Sequence, residues 1–84
     1  MTLEFIDNYI NEKLDENEEI LTFTFYELRV KNNLSEYDVN RFLELAKIRL
    51  ENIGYNIYFT GMEFTYKNVT RVVNGNELMI AIKN

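Results

Sequence analysis

Cysteine, histidine, proline and tryptophan are all absent from the 84 residues, and glycine occurs only three times. Without Cys or His there is no disulfide framework, no zinc-type ligand set and no thiol or imidazole nucleophile. Long apolar runs are missing as well. No stretch approaches the roughly 20 residues that a membrane span needs, and Met1-Thr2-Leu3-Glu4-Phe5 carries no basic leader region. The expectation is a cytoplasmic protein with no membrane contact. What the chain does have is apolar and aromatic material: 46% hydrophobic residues, including six Tyr and six Phe. A chain of this size buries roughly 60–65% of its unfolded surface, enough for one modest core. The composition excludes disorder and sets the expectation of a single domain over residues 1–84.

Fourteen acidic and nine basic residues give a net charge of −5. The acidity is local. Residues 1–19 hold seven acidic side chains against Lys13 alone, a net −6, whereas residues 20–84 are close to neutral at +1. Acidity of the whole chain therefore weakens the case for a nucleic-acid partner without removing it, because only the contacting face must be positive.

Leu3, Ile6, Tyr9, Ile10 and Leu14 recur at helical spacing behind Thr2, predicting a first helix over about 3–15. Asp15-Glu16-Asn17-Glu18-Glu19 reads as a solvated connector, since it lacks the glycine and ligand alternation of a calcium loop. Ile20 to Phe23 is β-prone. Thr24-Phe25-Tyr26-Glu27 is then a capping box, with Phe23 and Leu28 placed as its hydrophobic staple, predicting a second helix over 25–32. Ser35-Glu36-Tyr37-Asp38 repeats the device with Leu34 and Val39, predicting a third helix over 36–53 that Gly54 stops. Two stapled starts eleven residues apart outline a helix-turn-helix.

The remainder alternates as β-strands. Ile57 and Phe59 fall on one face of Tyr55–Thr60 and Tyr58 and Thr60 on the other; Gly61 marks a kink. Lys67-Asn68 reads as a loop or turn tip, Val69–Val73 as a short β-prone run that is either a separate third strand or part of a long wing, and Asn74-Gly75 as the strongest hairpin signal in the chain. Leu78, Ile80 and Ile82 are the expected inward face of the last strand. The expected fold is α+β: three helices with a short strand after the first, and a C-terminal hairpin.

This order, with its two capping boxes and terminal hairpin, resembles the winged helix-turn-helix superfamily over nearly the whole chain. Its general likeness is to small winged-helix accessory proteins of plasmids and phages, including those of conjugative DNA processing. The resemblance implies double-stranded DNA as partner, with the third helix in the major groove and the hairpin wing on backbone or minor groove. The third helix has a core stripe of Val39, Phe42, Leu43, Ala46, Leu50 and Ile53, flanked by a sector that carries Glu36, Glu44 and Glu51 against Lys47 alone. Glutamates do not suit a helix lying between phosphates. Contact is expected instead through the wing residues Lys67, Asn68, Thr70 and Arg71, joined by Tyr37 and Arg41 on the helix. Leu45 and Ile48, off the core stripe, point either to burial under the hairpin or to a homodimer seam. Arg29, Lys31, Asn32 and Asn33 form a second small polar-basic patch. The alternative is a winged helix that binds no DNA and docks a basic protein through the acidic surfaces of its first and third helices. Neither reading calls for a cofactor or metal. With no phosphate-binding loop and no nucleophile–base pairing, an enzyme is not expected.

Overall fold

In a computed structural model that describes residues 1–84, the Thr2 hydroxyl accepts the Phe5 amide at 3.1 Å and opens α1 (Leu3–Asp15). Asn17, at φ +56°, ends the helix by turning the chain through the left-handed region that Asn tolerates. β1 (Ile20–Thr24) then buries Leu21 and Phe23. The predicted capping box forms in both directions. The Glu27 amide donates to Thr24 Oγ1 at 3.1 Å and the Thr24 amide donates to Glu27 Oε1 at 2.6 Å.

The second helix departs from expectation. In place of a regular helix over 25–32, Tyr26–Lys31 is a π-helix. The Asn32 amide reaches back five residues to the Glu27 carbonyl at 3.1 Å, and the Asn32 side-chain amide donates to the same oxygen at 2.6 Å. Two donors from one residue on one carbonyl hold the wider pitch, which is otherwise rare. Asn33, at φ +53°, reverses the chain.

α2 (Glu36–Asn52) starts on the Asp38 amide's bond to Ser35 Oγ, 3.1 Å long. It buries Val39, Phe42, Ala46 and Leu50, the centre of the expected stripe. The stripe does not extend to Ile53. The helix ends at Asn52, leaving Ile53 53% exposed. Gly54 sits at φ +96°, and its amide donates to the Glu51 carbonyl; a side chain there would be strained.

Four strands follow: β2 (Tyr55–Phe59), β3 (Glu63–Tyr66), β4 (Val69–Val72) and β5 (Glu77–Lys83). They form two antiparallel sheets, one in the order β1-β5-β2 and one made of β3 and β4 alone. The hairpin expected at Asn74-Gly75 does not form, because β4 pairs with β3 and β5 is taken between β1 and β2. Asn74 instead makes a corner, its Oδ1 accepting the amides of Asn76 at 2.9 Å and Glu77 at 3.2 Å. The tight hairpin lies at Lys67-Asn68.

The position of β5 also corrects the expected inward face. Met79, Ile80 and Ala81 are fully buried and Ile82 nearly so. Met79 and Ala81 join the larger core with Ile6, Ile10, Phe23, Leu28, Phe42 and Leu50. Ile80 and Ile82 join Phe64 and Val73 in a smaller cluster on the opposite face. A central strand covered on both faces reads as a continuous apolar run rather than an alternation. The helices therefore cover one side of the β1-β5-β2 sheet and the β3–β4 hairpin the other. Leu45 packs against the main core, so neither it nor Ile48 is buried beneath the hairpin.

Candidate functional site

The six residues nominated for DNA contact are not brought to one surface. Lys67 and Asn68 form the hairpin tip, both exposed and both at positive φ, +50° and +66°. That is the type I′ geometry whose twist matches the flanking strands. The Lys67 ammonium lies 5.4 Å from the Tyr66 ring centroid, and the Tyr66 hydroxyl donates to Glu19 at 3.0 Å. Thr70 faces Thr65 across the hairpin, with their hydroxyls 2.8 Å apart.

Arg71 is turned the other way. It pairs in register with Phe64, and directly opposed residues share a face, so it follows Phe64 toward the sheet. Its guanidinium lies 4.8 Å from the Phe64 ring centroid and holds Glu77 in a fork, with bonds of 2.6 and 2.9 Å. The hydrogen bond from Arg71 holds the Glu77 carboxyl below its usual range, and the same bond raises Arg71. A guanidinium with its fork on a carboxylate has little left for phosphate.

Tyr37 and Arg41 are exposed on α2, Tyr37 by 72%. They belong to an element that packs against the opposite side of the sheet from the hairpin. Glu44 lies one turn from Arg41 on the same outward ridge, so the local field there is mixed.

A tie centred on Glu27 escapes any reading of sequence spacing beyond the capping box. Glu27 Oε2 accepts from the Tyr9 hydroxyl at 2.6 Å and lies 2.9 Å from the Lys13 ammonium. Lys13 also donates to the Thr22 carbonyl at 2.9 Å. Burial first, and then the hydrogen bond and charge of Glu27, push the Tyr9 phenol well above its ordinary range. With the Tyr9 hydroxyl, the Lys13 ammonium and the Thr24 amide all on its two oxygens, Glu27 joins α1, β1 and the π-helix rather than offering a free acid.

Unpaired charge is distributed unevenly. Lys13, Arg49 and Arg71 are held by Glu27, Asp7 and Glu77. Six basic side chains remain, scattered over the π-helix, α2, the hairpin tip and the C-terminal strand. Eleven acidic side chains have no Lys or Arg partner, and Glu4, Glu12, Asp15, Glu16, Glu18 and Glu19 gather on α1 and its connector. Two grooves flank this acidic edge. One, of about 380 Å³, lies between α1 and the π-helix and is lined by Glu12, Glu16 and Glu27 together with Lys13 and Lys31. The other, of about 830 Å³, sets Glu18 and Glu19, with Lys83 as its one basic side chain, beside the apolar Leu14, Ile53 and Tyr55. The carbonyl ends of α1 and α2 meet at this second groove, adding the negative ends of two helix dipoles. No three acidic side chains converge closely enough to hold a metal ion, and no helix is long and apolar enough to cross a membrane. Comparison of the chain with family models, curated proteins and solved structures finds no match.

Proposed function

We propose that this chain is a winged helix-turn-helix domain used as an interaction module, which docks a basic protein segment on the acidic edge of α1 and its connector. The element order supports the domain assignment: helix, strand, helix, short turn, helix, then strands, with the first strand paired to the last. One observation carries the choice of partner. The unpaired acids concentrate on one edge beside grooves with apolar walls, where Lys or Arg side chains can lay their stems along Leu14, Ile53 and Tyr55.

A second reading is DNA contact by an accessory or regulatory protein of a mobile element, working chiefly through the wing. Its support is the exposed hairpin tip, where Lys67 makes no ion pair. Arg71 weakens it, because the strongest expected phosphate contact is turned inward onto Glu77.

Fluorescence anisotropy with a labelled Arg- and Lys-rich peptide and with a random duplex, each at two salt concentrations, separates the readings. The expected result is salt-sensitive peptide binding and no duplex binding. Replacing Glu12, Glu16, Glu18 and Glu19 together by Gln should then weaken the peptide about tenfold or more. Duplex binding that Lys67→Ala abolishes would transfer the function to the hairpin tip.

A further inference from the structure

Tyr37, Arg41, Glu44 and Ile48 succeed one another along α2 at steps of four, three and four residues. At 3.6 residues per turn they occupy a sector about 60° wide, directly opposite the buried stripe of Val39, Phe42, Ala46 and Leu50. All four are exposed, with Tyr37 at 72% and Ile48 at 53%. The ion pairs of the chain join Met1 to Asp38, Lys13 to Glu27, Arg49 to Asp7 and Arg71 to Glu77. Arg41 and Glu44 enter none of them. The helix thus presents an outward ridge with two large apolar side chains at its ends and two unpaired opposite charges between them. Tyr and Arg in such a setting are the residue types that anchor interfaces.

The spacing is that of a coiled-coil seam, and its charge order selects one partner and one register. We propose that α2 docks against α2 of a second copy of this chain, antiparallel, about a two-fold axis at the level of Phe42 and Leu43. In that arrangement Arg41 of each copy faces Glu44 of the other, and Tyr37 of each faces Ile48 of the other. The interface is isologous, so every contact is made twice. The competing arrangements are penalised by the same four residues. A parallel pair sets Arg41 on Arg41 and Glu44 on Glu44. Sliding the antiparallel pair by one layer brings either the two arginines or the two glutamates together. Only one register pairs every charge and both apolar ends. The seam spans about three turns, so the contact belongs to the small, reversible class of interface rather than the obligate one.

This inference does not depend on the partner proposed above. It takes in Tyr37 and Arg41 as seam residues and uses none of the acidic residues of α1 and its connector.

Sedimentation velocity over a concentration series, in low and high salt, tests it on the intact chain. The parent should move from monomer to dimer as concentration rises, and added salt should shift the equilibrium back toward monomer. Arg41→Glu and Glu44→Arg should each abolish the dimer, because each faces like charge on like charge. The double variant Arg41→Glu/Glu44→Arg restores complementarity and should dimerise as the parent does. Circular dichroism melts check that each variant is folded, and exposed Glu and Arg at mid-helix positions exchange without loss of helix propensity. A parent that stays monomeric throughout overturns the proposal. So do single reversals that dimerise normally, or a folded double variant that remains monomeric.

Discussion

Arg71 is six residues from Glu77 in the chain, and nothing in that spacing announces a contact. The pairing arises because β4 places Arg71 on the sheet-facing side of the hairpin while the Asn74 corner carries Glu77 back toward it. The Asn74 amide also donates to Glu77 at 3.2 Å, so the carboxylate ties strand, corner and guanidinium together. Since the folded state lowers the Glu77 pKa, its contribution is full above the unfolded value of about 4.3 and disappears as pH falls through the lower folded value. Denaturant titrations at a series of pH values should show Glu77→Gln less stable than the parent by about 0.5–1 kcal/mol at neutral pH, a figure reduced by the exposure of Arg71. The difference should shrink in acid as the parent's own carboxylate is protonated. A constant difference across that range would remove the ion pair as its cause. At this scale the sequence shows residue types but not which side of a hairpin each one takes. Arg71 reads as a free cation for that reason, and Lys67, at the tip, reads correctly as exposed.

The elements were legible where a local device specifies them. Thr2, the Thr24–Glu27 box, Ser35 and Gly54 each set a boundary by hydrogen bonds within a few residues, and each boundary is found where those residues place it. The π-helical pitch was not legible, because it depends on Asn32 folding back onto the Glu27 carbonyl. The Asn74-Gly75 signal misleads for a related reason. Its turn chemistry is real, but sheet pairing elsewhere decides what the turn connects. The box around Glu27 is also the anchor of the π-helix, and this gives an ordering of costs. Thr24→Ala removes one capping bond and should lower stability by about 1 kcal/mol. Glu27→Ala also strips the half-buried Tyr9 hydroxyl and Lys13 of their shared acceptor and should cost about 2–4 kcal/mol. Equal losses in equilibrium unfolding would mean that Tyr9 and Lys13 find other partners.

Across the whole molecule, two unequal cores meet at one strand. Twelve buried residues pack on the helical side of β5 and four on the hairpin side. The sequence predicts strands in the right order, yet not that the last is inserted between β1 and β2, since the unbroken apolar run Leu78 to Ile82 marks a strand covered on both faces without naming its neighbours. The imbalance has a dynamic consequence. β1 and β2 both pair along their length with β5, with one register shift at Phe23/Thr24, whereas β3 and β4 pair only with each other. The hairpin is held to the rest of the molecule by Phe64 and Val73 in the smaller cluster, by the Arg71–Glu77 pair and by the Tyr66–Glu19 bond, and β4 is exposed along its length. Local opening follows the weaker packing, so the hairpin should detach in a partial unfolding that leaves the helical core intact. Native-state hydrogen exchange should show the ladder-bonded Phe64, Tyr66, Val69 and Arg71 amides exchanging at lower free energy than those of Met79 and Ile80. Phe64→Ala should widen that gap by removing the main anchor, lowering hairpin protection more than it lowers protection of β5. If all these amides instead exchanged at one common free energy, hairpin and core would form a single cooperative unit, and the smaller cluster would bind them more tightly than its size implies.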